Sequence, residues 1–280
     1  GQVCYYDYLE NKIKAEAELV GGIKLLAVGN NGFGDEIYGV LGQYELIILD
    51  ANTLDIKEKF LASGQIYSIV TNDDGMIILS IYDDGDNLIQ VLSRNDLSIL
   101  NNNIIAFNST VCHGIFFSSK EENELIVISE EELNFFMLDN SGNILDQGQV
   151  ANPYSLTQGA GSSYYKVNGF SPLGNYIVSS SEGHVFDTSM SAISNLSAFG
   201  LKFYSYYFFN KEETVLYAGL LSYSGFYISY IDTYSVPDFI PLGSKEYTGN
   251  TPINLFHRED EILGAFNSRY FRCIFIKPVD

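Results

Sequence analysis

Hydrophobic residues in this chain fall into short runs separated by clusters of Gly, Asn, Asp and Ser, with no sustained i, i+3, i+4, i+7 stripe. One arrangement recurs: a strand ending on a large apolar residue, four to seven polar residues, then a second apolar run. Val70 precedes TNDDG and MIILSI, Phe117 precedes SSKEENE and LIVIS, and Phe170 precedes SPLGN and YIVSS. Phe209 (with Asn210) precedes KEET and VLYAGL, and Phe256 precedes HRED and EILGAF. The copies stand 39 to 53 residues apart, and a looser one, LLAVGNNGFGDEIYGVLG, opens the series at Leu25. Each copy predicts a β-hairpin, and a repeat of this period predicts an array of small sheets.

Followed in order, the pattern predicts six units. The first has strands near Leu25–Val28, Glu36–Leu41, Glu45–Asp50 and Ile56–Leu61. The second runs from Tyr67 through MIILSIY and LIQVLS to LSIL, and the third from Val111 through LIVIS, LNFFMLD and ILDQGQV. The fourth spans Tyr164 to Phe199, and the fifth runs from Lys202 through VLYAGL and FYISYID to FIPLG. The sixth has three strands only, PINLFH, EILGAF and YFRCIFIKP. Residues 1–20 hold VCYYDY and KIKAEAELV; the second tract passes for a helix on propensity but alternates as a strand, and is read as one. If Ile13–Val20 supplies the outer strand that the sixth unit lacks, the sheets close into a ring without exposed edges. The expectation is one all-β domain over residues 1–280, a six-bladed β-propeller closed by its N-terminal strand. The alternative is seven blades, with VCYYDYLE seeding a reduced one.

Composition supports strands: there are 21 Tyr, 19 Phe and no Trp, and aromatic and β-branched side chains suit a half-buried pleated surface. A formal charge of −20 repels phosphate backbones and sets nucleic acid aside as a partner, while leaving room for a cationic one. No run is long and apolar enough for a membrane-spanning helix. The chain opens Gly1-Gln2-Val3 without Met, as expected of a processed or engineered form, so a removed export signal or lipid anchor would leave no trace. Three cysteines form no CxxC framework; Cys112 is expected in the core, and Cys4 and Cys273 are expected as two buried thiols, a disulfide between them being the alternative.

SPLGNYIVSS and YELIILDANTL resemble blade signatures of six-bladed propellers of the TolB-like and NHL-like kind, over nearly the whole chain. That resemblance implies an exported or cell-surface protein, extracytoplasmic in location, and a binding module. It carries over no catalytic residue.

In a propeller the first strands line a central channel, and the loops leading into them share one face with the turns between second and third strands. Here that face gathers Gln65, Tyr67, His113, Tyr164, Tyr165, Lys202, Tyr204, Thr251 and Asn254 as candidate ligand-binding residues. Asp83, Asp84, Asp86 and Glu130 to Glu132 add acids, and the long loop 150–165 is a candidate rim. A Tyr-rich rim suits a protein or carbohydrate ligand; equally, the tyrosines follow from a Trp-free composition.

Catalytic signals are weak. DDGD at Asp83 and NDDG at Asn72 lack the spacing of a calcium loop and read as turns. His113, His184 and His257 stand on different units without metal-ligand spacing, His257 in a turn. There is no G-x-S-x-G elbow, and GNNGFG at Gly29 precedes a strand in place of a phosphate-binding helix. Asn108 and Asn195 open Asn-x-Ser/Thr matches that matter only in a glycosylating pathway. No catalytic residue, metal or cofactor is expected. The leading function is a non-enzymatic binding module; the rival is a metal-assisted hydrolase or lactonase with a divalent ion in the channel. A passive scaffold would instead show an extended apolar patch.

Overall fold

The computed structural model describes residues 2–7, 10, 12–21, 23–29, 34–72, 75–104, 112–117, 124–129, 132–151, 169–178, 183–189, 191–196, 204–220, 228–248, 250–258, 261–268 and 274–278. Among these, every regular element of any length is a β-strand. By internal contacts the chain divides into two compact units, residues 1–149 and 150–280.

The first unit opens with a hairpin, β1 (Gln2–Asp7) and β2 (Lys12–Glu18), which forms a two-stranded sheet. Sheet 1 follows as a four-stranded antiparallel meander of β3 (Ile23–Gly29), β4 (Glu36–Leu41), β5 (Glu45–Asp50) and β6 (Ile56–Leu61). Sheet 2 repeats it with β7 (Gln65–Thr71), β8 (Met76–Asp83), β9 (Asp86–Ser93) and β10 (Ile99–Ile104). Sheet 3 repeats it again with β11 (Cys112–Phe117), β12 (Glu124–Ser129), β13 (Glu132–Leu138) and β14 (Ile144–Ala151).

Burial along these strands explains why the hydrophobic runs look as they do. β4, β5 and β8 are buried on both faces, so their sequences, such as ELIILD and MIILSI, are apolar without alternation. Tyr38, Val40, Leu46 and Ile48 turn one face of sheet 1 to Ile77, Leu79, Ile81 and Leu92 of sheet 2. Leu41, Ile47 and Leu49 turn the other face to Leu19 and Val3 of the N-terminal hairpin. The other face of sheet 2 gives Met76, Ile78, Ile89 and Val91 to Leu125, Val127 and Phe136 of sheet 3. The fourth strands are different: β6 is exposed at alternate positions, with Leu61 and Ile56 out in solvent. Sheets are therefore stacked face to face, and their fourth strands form an outer edge.

First strands meet each other. β3 lies against β7, and β7 against β11. Gly29 makes the first of these approaches possible, because a Cβ there would collide with the Thr71 hydroxyl on β7.

The second unit carries the same motif. Sheet 4 is β15 (Gly169–Phe170), β16 (Tyr176–Val178), β17 (His184–Asp187) and β18 (Ala192–Asn195). Sheet 5 is β19 (Tyr204–Phe209), β20 (Val215–Leu220), β21 (Ile228–Ser235) and β22 (Pro241–Thr248). The last sheet has three strands, β23 (Asn250–Arg258), β24 (Glu261–Ser268) and β25 (Ile274–Pro278). Val178, Val185 and Leu196 pack with Tyr207, Phe209, Leu216 and Phe239 between sheets 4 and 5. Again first strands are neighbours: β15 lies by β19, and β19 by β23.

Three expectations change. Cys4 is a free thiol on β1 and is exposed, because it alternates onto the solvent side of the hairpin, while Val3 packs inward. His257 lies within β23, paired with Ile262, and not in a turn. The partner of β2 is β1, in register from Gln2↔Glu18 to Asp7↔Lys12. Among the described residues no helix is long and apolar enough to cross a membrane.

Candidate functional site

Among the described residues two turn types recur, and both are self-made by polar side chains. After the first strand, one residue accepts backbone N–H bonds at the start of the second. Ser171 Oγ accepts from Asn175 N and Tyr176 N at 2.9 Å each, and Asn210 Oδ1 accepts from Thr214 N and Val215 N at 2.8 Å. Asn72 Oδ1 does the same for Met76 N at 2.8 Å. After the third strand the Asp50 carboxylate accepts from Asn52 N and Thr53 N, and Leu54, four residues on, is buried in a left-handed conformation with φ 62°. Leu97 and Phe239 occupy the same turn position with φ 55° and 52°. These turns place structural residues at one end of the sheets that carry them. The opposite end holds the strand-entering segments and the second-to-third turns.

In the first unit that opposite end is well defined. Gln65 and Tyr67 sit at the start of β7, both half-buried. Gln65 pairs across the sheet with Tyr82, and a register shift between Ile66 and Ser68 turns Tyr67 out of the Ile66 and Ile69 face that packs on sheet 1. Tyr67 then meets Tyr82 edge to face, centroids 6.4 Å apart and planes at 88°. Tyr82 is 38% exposed. Directly beyond it, Asp83 pairs with Asp86 across a two-residue turn whose Asp84 and Gly85 both have positive φ, 45° and 103°. The DDGD motif is thus a tight hairpin turn that displays its carboxylates.

The approach to β7 is held from two sides. Ala62 N donates to Tyr44 O at 2.9 Å and Ile66 N to Gln43 O at 2.7 Å, tying the crossing segment to the β4–β5 turn. Gly64 packs against the Tyr82 carbonyl so closely that a Cβ would collide with it. The aromatic pair therefore stands on a fixed backbone.

The remaining candidates are placed less fully. His113 is on β11, Tyr204 begins β19 and Asn254 is on β23, so each lies on a first strand, as expected. Tyr164, Tyr165 and Lys202, with most of the loop 150–165, lie outside the described residues. His184 is half-buried on β17, against the Phe186 ring. Among the described residues, no group of three or more His, Cys, Asp or Glu side chains is arranged to hold a metal ion. Tyr207 and Phe209, from the tract KFYSYYFF, are buried in the core between sheets 4 and 5, so this part of the tract supplies no surface patch.

Sequence reading missed Tyr82, although the signal was present. Once the hairpin after Val70 is set in register, Tyr82 falls opposite Gln65. It also missed the polar network at the other end of sheets 1 and 2. Arg94, 1% exposed, gives Nε to Glu36 Oε2 and a second nitrogen to Glu36 Oε1, each at 2.6 Å, and its third nitrogen to Glu58 at 2.7 Å. Lys57 and the Tyr38 hydroxyl also donate to Glu36, at 2.6 and 2.7 Å. Burial pushes the Glu36 carboxyl up, but the bonds from Arg94, Lys57 and Tyr38 outweigh it and hold the group at about 2. Burial, followed by the hydrogen bond to Glu36, raises the Tyr38 phenol. The network joins two sheets; it is a structural tie.

The fold is that of a β-propeller. The β-propeller domain of Myceliophteria thermophila Cps50 (Swd1) superposes with a TM-score of 0.58 at 10% identity, over 92% of this chain and 88% of that one. A functionally unknown protein from Desulfotomaculum acetoxidans superposes with a TM-score of 0.71 at 11% identity, over 100% of this chain and 91% of that one. No protein-family model matches the chain, and no functionally curated protein matches it.

Proposed function

We propose that this chain is a non-enzymatic, extracytoplasmic binding module that holds a protein or carbohydrate ligand at the end of its sheets where the first strands begin. The observation that carries the reading is the placement of Gln65 and Tyr67 beside Tyr82 and the Asp83–Asp86 turn, on a backbone fixed by Gly64 and the Gln43 and Tyr44 carbonyls. Partly exposed aromatic rings on a rigid base give contact area at low entropic cost. His113, Tyr204 and Asn254 extend the same logic to other first strands.

The finer architecture belongs to the same proposal. We take the repeats to form one six-bladed domain of the TolB-like and NHL-like kind; its support is the recurrence of one four-stranded unit and the blade-like SPLGNYIVSS and YELIILDANTL. A crystal structure showing β1 and β2 as a separate seventh blade would overturn the count. The extracytoplasmic setting rests on that resemblance alone and is checked by fractionating the native host.

Thermal unfolding across a panel of glycans and peptides tests the function, because a ligand specific to the native state raises the midpoint. One ligand class should shift it, and EDTA should not. A large loss of stability in EDTA that Ca²⁺ restores would replace this reading with the metal-assisted hydrolase.

A further inference from the structure

We propose that β14, the outer strand of sheet 3, is a pairing edge for a second copy of this chain, joined antiparallel about a two-fold axis at Gly148. This inference goes beyond the binding-module reading and does not depend on it.

An outer strand presents backbone groups to solvent, and a long exposed one is a template for another strand unless something blocks it. The other outer strands of the four-stranded sheets are blocked. β6 carries Lys57, Glu58 and Lys59, and β22 opens with Pro241 and carries Lys245 and Glu246. β18 has four residues, and β10 shifts register twice against β9. β14 runs for eight residues, ILDQGQVA, with Asp146 as its one charge. It is exposed at each position from Leu145 to Gln149.

Two observations point outward from this strand. Gln147 N donates to the Asp146 carboxylate at 2.8 Å, so this N–H is turned away from β13. Gln149 N, two residues on, shares its direction. Between them stands Gly148. A glycine inside a strand weakens it and often marks the close approach of another backbone. Gly21, Gly34, Gly42 and Gly85 also have open space where a Cβ would stand, but each has a positive φ that calls for glycine. Gly148 has the open space without the positive φ, so neither its backbone nor its neighbours in the chain require glycine.

The occupant follows from the sequence about this residue. Gln147-Gly148-Gln149 reads the same in both directions. A two-fold axis at Gly148 therefore sets Gln147 opposite Gln149 of the second copy, and the reverse. Residues with outward N–H groups then face each other and exchange both backbone bonds, Gln147 N leaving Asp146 for a carbonyl. Their side-chain amides meet on one face, each able to donate and accept. The two Gly148 residues meet without side chains. In this register the Asp146 carboxylates stand about 13 Å apart along the strands. Moving the axis to Gln147 would bring them to about 7 Å, a repulsive diagonal. Two chains of formal charge −20 also repel at a distance, and salt screens that repulsion. The contact itself is made by neutral amides, so the dimer should tighten as ionic strength rises.

Sedimentation equilibrium of the full-length protein, over a wide concentration range at low and high salt, reads this out. Weak dimerisation is expected, stronger at high salt. Gln147→Lys with Gln149→Lys sets lysine opposite lysine twice and should weaken the dimer about tenfold, although it lowers the net charge. Gln147→Lys with Gln149→Glu sets opposite charges face to face and should match or tighten the parent. Leu61→Lys, on the exposed edge of β6, is the control and should leave the dimer unchanged. Unaltered circular dichroism and unfolding midpoints show that the variants fold.

A monomer at every concentration, at high salt as well, would overturn the proposal. So would a dimer that the double lysine variant leaves intact, which would place the contact on another surface. Equal weakening by Leu61→Lys would mean a diffuse association of sheet edges and would overturn it too. A dimer lost equally in both double variants would overturn the axis at Gly148.

Discussion

Between sheets 1 and 2 the buried polar tie is an ion pair; between sheets 4 and 5 it is a carboxylate bound to neutral donors. In the first seam, Glu36 and Arg94 meet directly at one end of sheets 1 and 2, whose shared core is largely aliphatic, and four donors converge on one carboxylate. In the second, Glu213, 7% exposed and held at φ 50°, accepts from Leu173 N and Asn175 Nδ2, at 2.6 Å each, beside an aromatic core. The same stacking problem is solved twice with opposite demands. An ion pair recovers its desolvation cost only while both charges are present, whereas a carboxylate on amide donors depends on geometry.

The largest expected effect breaks the first seam. Arg94→Ala leaves Glu36 buried without its main partner and should cost about 3–5 kcal/mol, read as a lower urea midpoint. Glu36→Leu combined with Arg94→Met should recover much of that loss, since no buried charge is left unpaired and the side chains of Lys57 and Glu58, which lose a partner, reach solvent. A double variant as unstable as Arg94→Ala would show that shape, not charge, is what the seam requires.

Phe239→Ala should come next, at about 3 kcal/mol. Its ring is buried, stands edge-on to Tyr176 at 5.3 Å, and has no charge to lose. The contrast sharpens with pH. Glu36 is held at about 2, below its ordinary value of 4.5, so it contributes stability that is present above pH 4.5 and is lost as pH falls towards 2. Acid titration of the parent should therefore show a loss of stability in that window that is larger than in the Glu36→Leu, Arg94→Met variant, which keeps only the contributions of carboxylates such as Asp50, Asp96 and Asp139. Phe239→Ala should keep it.

Smaller effects concern single ties. Glu213→Ala should cost about 1–3 kcal/mol by orphaning two donors, and Glu213→Gln less, because one amide oxygen still accepts. Asp139→Ala, which removes the acceptor of Ser141 N and Asn143 N, should cost about 1 kcal/mol by thermal melting.

Much of the first unit was legible in sequence. Glu36–Leu41, Glu45–Asp50 and Ile56–Leu61 are strands with the expected limits, because polar turns bound each run and the middle runs have no polar face to confuse the period. The recurring Ser or Asn after the first strand and the Asp-x-x-x-Leu turn were visible as patterns; their meaning, an acceptor for backbone amides and a buried residue at positive φ, needed coordinates. The Arg94–Glu36 pair could not be read, since 58 residues separate its members and neither lies in a recognisable motif. Cys4 was misjudged because a strand of alternating burial offers either face until its neighbour is known. Of the candidate site, Gln65 and Tyr67 were read correctly onto a first strand, while Tyr82 required the hairpin register.

Backbone hydrogen exchange with and without the ligand found by thermal shift tests the central claim most directly. Protection should rise at residues 62–67 and 82–86 and stay unchanged on β6, β10 and β22. Protection confined to those outer strands, where Leu61, Ile99 and Leu242 stand exposed, would contradict a site at the first-strand end and point to the sheet edges as the binding surface.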